Sequence, residues 1–308
     1  MTIDIALATY QGAPFLKEQL ASLAAQSYPS WRLFVRDDGS SDETPALLEQ
    51  FALAWPGRVV LLPGGERLGV VANFSAVLEA TSSPYVFLCD QDDVWKPDKL
   101  EKMVAHMVAL EQCYGAATPL LLHSDMELVD AQGEPLHPSF WQLARLAPQR
   151  NVTLASLLSQ NVVTGCATLC NRALLELALP IPAGVVMHDW WLALVAVAFG
   201  QLIAYSEKTT CYRQHSSNVI GARPLGWLAH LKRMIVRIGH IDGAKRRQAT
   251  LLLERYEGRW SSQESSLIRA YLALPDKGYL ARLWAIYHYR FVRTGWWRQM
   301  AFGLGWIE

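Results

Sequence analysis

The stretch "YVFLCDQDDVWKPDKL", Tyr85 to Leu100, joins an apolar run to three closely spaced aspartates. The apolar run predicts a buried strand, and Pro97 predicts the first turn of a helix. Asp90, Asp92 and Asp93 repel one another, and leaving them partly desolvated without a partner costs several kcal/mol. A metal ion, a basic side chain or exposure to solvent in an open turn would satisfy them, so this stretch predicts a strand end with a charged partner.

The first hundred residues alternate short apolar runs with amphipathic segments. Further buried strands are predicted for "IDIALAT", "WRLFVR" and "RVVLL". Helical spacing is found in "APFLKEQLASLAAQ", "TPALLEQFALAW", "VVANFSAVLEAT" and "KPDKLEKMVAHMVALEQ". Strands and helices in alternation predict an α/β fold, a parallel sheet with helices on both faces.

The unusual polar residues of this region fall at one predicted edge of the sheet. Thr9 and Tyr10 end the first strand, Asp37 and Asp38 end the second, and the aspartate cluster follows the fourth. Ligands of such sheets bind at the carboxyl ends of the strands. One Asp-Asp turn is typical of a helix cap, but two at the same edge favour a binding site.

Beyond Leu110 the pattern predicts further strands and helices. "PLLLHSDMELVDAQGEPL" predicts a strand that continues into a hairpin, and "VVTGCATLCNRALLELAL" a strand that leads into a helix. "HDWWLALVAVAFG" predicts a buried helix that begins near Asp189, too short to span a bilayer. "QLIAYSEKTTCYRQHSSN" predicts a strand and a polar loop. Three more helices are predicted in "LGWLAHLKRMIVRIGH", "DGAKRRQATLLLERYEGRW" and "YLARLWAIYHYRFVRTGWW".

The zero net charge hides two halves of opposite sign. Up to Gly221 the chain has 13 Lys and Arg against 22 Asp and Glu, a balance of −9; from Ala222 onward it has 15 against 6, a balance of +9. The basic region also holds six of the twelve tryptophans, among them Trp296, Trp297 and Trp306. Basic and aromatic residues together suit an anionic membrane surface, with packing against the body as the alternative. No nucleic-acid recognition module is visible.

Other features of the sequence favour a cytoplasmic protein. The N-terminus "MTIDIALATY" has no basic segment and no cleavage site, so no signal peptide is expected. The five cysteines are odd in number and form no Cys-x-x-Cys pair, which predicts reduced thiols.

Five motifs resemble the family 2 glycosyltransferases in order and spacing. They are "ALATYQGAPFLKEQLASLAAQSYPSWRLFVRDDGSSDET", "RLGVVANFSAVLEAT", "CDQDDVWKPDKL", "HDWW" and "YRQHSSNVIG". The likeness extends to about Gly221 and is strongest to bacterial members that build rhamnose-containing cell-surface polysaccharides. It implies a Rossmann-like GT-A domain over 1–221, followed by a helical region over 222–308 that serves membrane or acceptor association. It also implies a nucleotide-diphosphate sugar donor, Mn²⁺ or Mg²⁺, and inversion at the anomeric carbon.

The resemblance assigns roles to individual residues. Thr9 and Tyr10 would line the nucleoside pocket, and Asp37 or Asp38 would accept the N3–H of uracil or thymine. Asp90 and Asp92 would form the Asp-x-Asp element, with Asp92 as the direct metal ligand, and Asp189 would be the catalytic base. The departures are His188, where many members have Glu, and the absence of the Gln-x-x-Arg-Trp motif of processive synthases.

Four further residues are candidates for the donor site. His215 would complete the metal shell or touch the diphosphate, and Arg213 would neutralise phosphate charge; a surface histidine without a ligand is the alternative. Arg67 would contact the nucleotide, and Gly165 would let the backbone approach the sugar because it lacks a side chain.

These features predict an inverting, metal-dependent transferase on the cytoplasmic membrane face. The donor would be a dTDP- or UDP-sugar, with rhamnose tested first, and the acceptor a growing glycan or a polyprenyl-diphosphate-linked glycan. Two alternatives are a sugar-nucleotide pyrophosphorylase and a non-catalytic scaffold. A pyrophosphorylase usually has a Gly-rich, basic phosphate loop near the first strand, and "TYQGAPFLKEQ" is not one.

Overall fold

The computed structural model describes residues 1–148, 152–215 and 243–293. These residues form two compact units. The first contains residues 1–144, 163–181 and 187–215, and the second contains residues 145–148, 152–162, 182–186 and 243–293.

The first unit is built on one nine-stranded sheet. The strands are β1 (Ile3–Thr9), β2 (Trp31–Asp37), β3 (Val59–Leu61), β4 (Tyr85–Cys89), β5 (Val94–Trp95), β6 (Leu120–Val129), β7 (Pro135–His137), β8 (Thr168–Asn171) and β9 (Gln201–Arg213). Their order is β3-β2-β1-β4-β8-β6-β9-β5, and β7 pairs with the outer part of β6. The chain thus has the predicted α/β architecture.

The first four predicted strands are confirmed and run parallel. β1 pairs with both β2 and β4, and β2 pairs with β3, all in the parallel sense. Ile3, Ile5 and Leu7 are fully buried because β1 lies in the middle of the sheet with helices over it. The register places Thr9 opposite Asp37 and Leu7 opposite Cys89, so the three strands end at one edge.

The second half of the sheet is mixed. β8 runs antiparallel to both β4 and β6, and β9 runs parallel to β6 but antiparallel to β5. The predicted hairpin is confirmed, since β6 turns through Asp130–Glu134 into the antiparallel β7. β5, a two-residue strand directly after the aspartate cluster, was not predicted because it is too short to show a period.

Helices pack on the sheet and agree with the periodicity of the sequence. Those of the first unit are α1 (Ala13–Ala24), α2 (Thr44–Ala54), α3 (Val70–Ala80), α4 (Lys99–Tyr114), α5 (Phe140–Leu143), α7 (Arg172–Ala178) and α8 (His188–Phe199), with α6 (Leu154–Ser159) in the second unit. A 3₁₀ turn, Gly165–Ala167, leads into β8. The predicted buried helix is confirmed as α8, and all five cysteines are free thiols.

The second unit is helical and is assembled from separate segments of the chain. Besides α6 it contains α9, described over 243–255, α10 (Ser262–Leu272) and α11 (Tyr279–His288). A capping box begins α10, where the Ser261 hydroxyl and the Glu264 carboxylate satisfy each other's backbone N–H groups. α6 packs against α10, so residues after α5 join a unit that the sequence was expected to form from 222–308 alone.

The predicted boundary between Gly221 and Ala222 lies outside the described residues, and so does the helix predicted in "LGWLAHLKRMIVRIGH". The helices predicted in the other two C-terminal segments are confirmed as α9 and α11. In the described part of the chain, no helix is both long enough and apolar enough to cross a bilayer.

Candidate active site

The ends of β1 and β2 are joined by their polar side chains. The Thr9 hydroxyl donates to Asp37 Oδ1 at 2.9 Å, as the register of the two strands requires. Asp37 also accepts the backbone N–H of Ser40 at 2.7 Å and the Ser40 hydroxyl at 2.6 Å. The structure therefore brings together two of the residues predicted to line a nucleoside pocket, and fixes the turn that follows β2.

Asp38 is buried and organises the loop before α3. Its carboxylate accepts the backbone N–H groups of Leu68 at 2.7 Å and Gly69 at 2.8 Å. Arg36 donates to the same carboxylate at 3.0 Å and to the Glu66 carbonyl at 2.9 Å. Asp38 thus holds residues 66–69 against the sheet, and Asp37 is the more exposed of the two carboxylates.

Arg67 and Tyr10 meet at the same edge. The Arg67 guanidinium lies 4.1 Å from the centroid of the Tyr10 ring, which is a cation–π contact. The sequence predicted that both residues face the nucleotide, and the structure places them in one cluster. Their side chains come from the β1–α1 loop and from the loop that Asp38 holds.

Gln91, the middle residue of the Asp-x-Asp element, was not singled out from the sequence. Its side-chain oxygen accepts the Tyr10 N–H at 2.8 Å, and its side-chain amide donates to the Tyr10 carbonyl at 2.9 Å. A Cβ at Gly12 would lie 2.4 Å from Gln91 Oε1, so a larger residue there would displace the Gln91 side chain. Gln91 therefore joins the β1–α1 loop to the end of β4, which only the fold could reveal.

The three aspartates have three different surroundings. Asp93 is fully buried: its Oδ1 accepts the Arg213 N–H at 3.1 Å, whereas its Oδ2 has no hydrogen-bond partner among the described residues. Burial, with the neighbouring Asp92 charge, raises the pKa of Asp93 to about 7. Burial and then the Asp93 charge raise the pKa of Asp90 well above its usual value. Asp92 is half-buried and lies 2.8 Å from His215 Nε2.

Lys99 supplies the positive charge that the sequence demanded beside this cluster. It is fully buried, and its ammonium group donates to the Cys166 carbonyl at 2.6 Å and to Thr210 Oγ1 at 2.7 Å. The same group lies 3.9 Å from the centroid of the Trp95 ring. Burial lowers the pKa of Lys99 to about 8. Of the three partners that the sequence left open, a basic side chain is present.

The cluster also fits a divalent cation. Ligand atoms of Asp90, Asp93 and Cys166 lie within 4.8 Å of one another. Mg²⁺ and Mn²⁺ prefer oxygen ligands, whereas burial raises the pKa of the Cys166 thiol well above its usual value and so keeps it protonated. The carboxylates of Asp90 and Asp93 are therefore the oxygen donors of this group, and Asp92 with His215 forms a separate pair beside it.

Asp189 lies in the first turn of α8, as predicted. Its Oδ2 accepts the Gly165 N–H at 3.1 Å, and its Oδ1 accepts the Trp190 N–H at 2.6 Å. Its negative charge also contributes to raising the pKa of Asp90. Asp189 is bound at Gly165, and the next residue, Cys166, lies beside Asp90 and Asp93. The Gly165–Cys166 peptide therefore connects Asp189 to the aspartate cluster.

His188 explains why residue 165 is a glycine. Its ring stacks on Phe74 with centroids 3.8 Å apart, and a Cβ at Gly165 would lie 2.8 Å from His188 Nε2. Burial lowers the pKa of His188 to about 3, so the imidazole is neutral. In the structure the missing side chain makes room for His188, and the contact of Gly165 with a sugar remains a prediction.

The sequence model described as "Glycosyl transferase family 2" matches residues 4–135. This match assigns residues 4–135, the first part of the chain, to this family. The chain is 26% identical over 247 residues to the dTDP-rhamnosyl transferase RfbG of Shigella flexneri, covering 74% of this chain and 78% of the relative. It is also 26% identical over 220 residues to the uncharacterised protein Rv1520 of Mycobacterium tuberculosis, covering 70% of this chain and 60% of the relative. The chain thus spans about 60% of the length of the first curated relatives.

Solved glycosyltransferase structures share the GT-A fold of this chain. S. aureus TarS in complex with UDP-GlcNAc has a TM-score of 0.60 at 15% identity, covering 94% of this chain and 80% of TarS. The mannosyltransferase PcManGT from Pyrobaculum calidifontis, in complex with GDP-Man and Mn²⁺, has a TM-score of 0.56 at 19% identity. The match covers 94% of this chain and 72% of PcManGT. At these identities the comparison shows the fold alone.

The Arg213 side chain makes hydrogen bonds within the protein. Its guanidinium donates to the Asp92 carbonyl at 3.0 Å, to the Ala131 carbonyl at 2.9 Å and to the Glu18 carboxylate. It therefore holds the backbone of the aspartate turn, and the phosphate contact expected from the sequence remains a prediction. His215, two residues later, stacks on Phe15 with ring centroids 4.4 Å apart, and its Nε2 lies 2.8 Å from Asp92 Oδ2.

Proposed function

We propose that this chain transfers a sugar from a nucleotide-diphosphate donor to an acceptor hydroxyl, with inversion at the anomeric carbon. One observation carries the proposal: Asp189 is bound to Gly165, and the adjacent Cys166 packs within 4.8 Å of the Asp90 and Asp93 ligand atoms. A carboxylate that could accept a proton therefore lies beside a carboxylate cluster that could bind a cation and a diphosphate. A metal-dependent inverting transfer needs both at one place.

Asp189 is the proposed general base. Hydrogen bonds from the Gly165 and Trp190 N–H groups fix the orientation of its carboxylate. It would take the proton of the acceptor hydroxyl as that oxygen attacks the anomeric carbon. A positioned base of this kind typically contributes about 10²–10⁴-fold to the rate.

Asp92, Asp90 and His215 are the proposed ligands of a divalent metal, and the closeness of Asp93 to Asp90 supports Asp93 as a further candidate. When bound, Mn²⁺ or Mg²⁺ would stabilise the negative charge that grows on the departing diphosphate. The Asp92 carboxylate would exchange its hydrogen bond from His215 for the cation, and Arg213 would keep the turn in place.

Thr9, Tyr10, Arg67 and Asp37 or Asp38 are proposed to bind the nucleoside. The Arg67–Tyr10 pair offers a flat surface, and the half-buried Asp37 carboxylate can accept the N3–H of uracil or thymine. The similarity to RfbG supports dTDP-rhamnose as the first donor to test, and TarS supports a UDP-sugar as the alternative.

The acceptor and the place of action are also proposals. A glycan on a polyprenyl diphosphate would bring the substrate to a membrane, and the basic, Trp-rich region after Ala222 would hold the enzyme at its anionic surface. Part of the tail on which this idea was based, including Trp296, Trp297, Arg298 and Trp306, lies outside the described residues.

A screen of nucleotide sugars with and without Mn²⁺ tests the proposed function. A ligand that binds only the folded state at a hundredfold excess over its Kd adds about 2.7 kcal/mol to the free energy of unfolding. We expect dTDP-rhamnose or a UDP-sugar to raise the Tm only with Mn²⁺, and sugar to be released from that donor. Pyrophosphate release from a sugar phosphate and a nucleoside triphosphate would indicate a pyrophosphorylase instead. Donor binding without any transfer or hydrolysis would indicate a scaffold.

A further inference from the structure

The exposed face of α11 has an apolar stripe. Leu280, Trp284 and Tyr287 are 80%, 61% and 86% exposed, and their spacing of four and three residues places them on one side of the helix. Ala285 and Ile286, on the other side, are buried. The helix therefore packs on its own unit with one face and leaves large apolar side chains in solvent with the other.

Exposed apolar side chains are concentrated at this end of the described chain. Fourteen large hydrophobic side chains are exposed among the described residues, and five of them lie between Tyr279 and Val292. Single exposed apolar residues need no explanation, but a dense group of them marks an interaction surface. The composition of this group, two tyrosines and a tryptophan beside aliphatic residues, is the one favoured where water meets lipid.

The charge of the same segment is wholly positive. From Lys277 to Arg293 the sequence contains four basic residues, Lys277, Arg282, Arg290 and Arg293, and no aspartate or glutamate. Such a segment is attracted to the anionic headgroups of lipids. A protein partner would need an acidic rim around its apolar surface, which is a more restrictive requirement. Arg282 donates to the Leu274 and Lys277 carbonyls at 3.1 Å, which fixes a positive charge at the start of the helix.

The aromatic side chains are also held in place. The Trp284 ring stacks on His288 one turn later, with centroids 4.5 Å apart and planes 10° apart. This contact keeps the indole along the helix surface, so less side-chain entropy is lost when it enters an interface. At ten residues α11 is far too short to cross a bilayer, and a helix of this kind lies in the plane of the headgroups.

We propose that the α11 face formed by Leu280, Trp284 and Tyr287 binds an anionic lipid surface, to which the net positive charge of segment 277–293 attracts it. This inference deepens the proposed membrane association and rests on that part of the proposed function. It assigns the contact to a particular helix face, and it does not depend on the identity of the donor or on catalysis.

Vesicle flotation of the full chain tests the assignment. Vesicles of phosphatidylcholine alone are compared with vesicles that also contain phosphatidylglycerol, at low and at high salt. We expect binding to the anionic vesicles that weakens as salt is added. The triple variant Leu280→Ser, Trp284→Ser, Tyr287→Ser should reduce this binding by about tenfold or more, because it removes the apolar part of the contact.

Controls separate the helix face from general effects. Leu53→Ser, on α2, removes an equally exposed leucine from the first unit and should leave flotation unchanged. Circular dichroism and Tm should match the wild type for both variants, because the substituted side chains are exposed.

The outcomes distinguish the inference from the proposal beneath it. If the wild type floats and the triple variant floats equally well, the assignment of the α11 face is wrong although the membrane association stands. If the wild type does not float with anionic vesicles at low salt, both are wrong, and the transferase proposal is still judged by its donor screen. Concentration-dependent dimers that the triple variant abolishes, without flotation, would show that the face binds a second copy.

Discussion

The Asp90–Asp93 turn keeps three carboxylates close together because each has a different environment. Asp92 interacts with His215, Asp93 receives the Arg213 N–H, and the buried Lys99 places a positive charge nearby. Burial first, and the charges of neighbouring aspartates second, raise the pKa values of Asp90 and Asp93, so the charge of Lys99 does not fully offset these costs. A divalent cation would supply more positive charge, which is the physical reason to expect metal-dependent binding here.

Asp92→Ala should abolish metal-dependent nucleotide binding and leave the fold intact. Asp92 is half-buried, so its loss creates no cavity in the core, while it removes the proposed direct ligand. Calorimetry of UDP and dTDP with Mn²⁺ measures the effect. Asp98→Ala, which removes an exposed carboxylate paired with Lys102, is the matched control and should bind normally. Unchanged binding by Asp92→Ala would contradict the metal assignment.

Asp189→Asn should bind the donor normally and transfer sugar at least ~10²-fold more slowly. The amide keeps the size of the side chain and one acceptor oxygen for the Gly165 N–H, but it cannot accept the proton of an acceptor hydroxyl. Donor affinity from calorimetry and single-turnover transfer rates separate the two effects. Transfer close to the wild-type rate would mean that another residue is the base.

Lys99→Met should destabilise the protein by about 2–4 kcal/mol, because it leaves buried carboxylates without their positive partner and two buried acceptors unpaired. Urea unfolding without metal measures this loss. Lys102→Met, one turn along α4 and at an exposed ion pair, is the matched control and should leave the free energy of unfolding close to that of the wild type. Equal small effects at both positions would show that Lys99 does not balance the cluster.

At the scale of elements, the 3₁₀ turn Gly165–Ala167 connects the two halves of the candidate site. Its first N–H binds Asp189 on α8, and its Cys166 carbonyl accepts from Lys99 on α4. The turn therefore fixes the distance between the proposed base and the aspartate cluster. A displacement of this element should disturb both at once.

Gly165→Ala should destabilise the protein by about 1–3 kcal/mol, because the new Cβ would lie 2.8 Å from His188 Nε2. The cost should fall by about 1 kcal/mol or more in a His188→Ala background, where the space is open. A double-mutant cycle in urea measures this coupling. Gly243→Ala, where nothing lies within 4 Å, should be close to neutral. An additive cycle would show that the turn adapts without moving His188.

At the scale of the whole molecule, buried histidines make the fold sensitive to acid. Burial lowers the pKa of His123 and of His188 to about 3, below the value of 6.5 expected in an unfolded chain. Between these two values the unfolded chain binds more protons than the folded one. The stability that these two neutral histidines contribute is therefore fully present above pH 6.5 and is lost as the pH falls toward 3.

His123→Leu should reduce this acid sensitivity. Lowering the pH from 6.5 to 4.5 should cost the wild type about 2–3 kcal/mol through His123, a cost that the variant lacks. Urea unfolding of both proteins at several pH values gives the slope of the free energy of unfolding against pH for each. His106→Leu, at a half-buried position against Tyr205, is the control that should keep the wild-type slope. Parallel slopes for the wild type and His123→Leu would contradict the account.

The sequence by itself determined the parallel half of the sheet and the edge at which the site lies. Apolar runs and helical spacing are local signals, and the strand–helix order of the first hundred residues places Thr9, Asp37 and Asp90 at the same ends of neighbouring strands. Asp189 at the start of α8 could also be located, through its motif.

Only the tertiary structure decided which side chains complete the site. Lys99 reaches Thr210 across 111 positions, and the Arg213 guanidinium reaches the Asp92 carbonyl across 121. The antiparallel insertion of β8 between β4 and β6 brings Gly165 to Asp189 and Cys166 to Lys99. Such contacts leave no period in the sequence, because they depend on burial and on the order of strands in space, and neither is a local property of the chain.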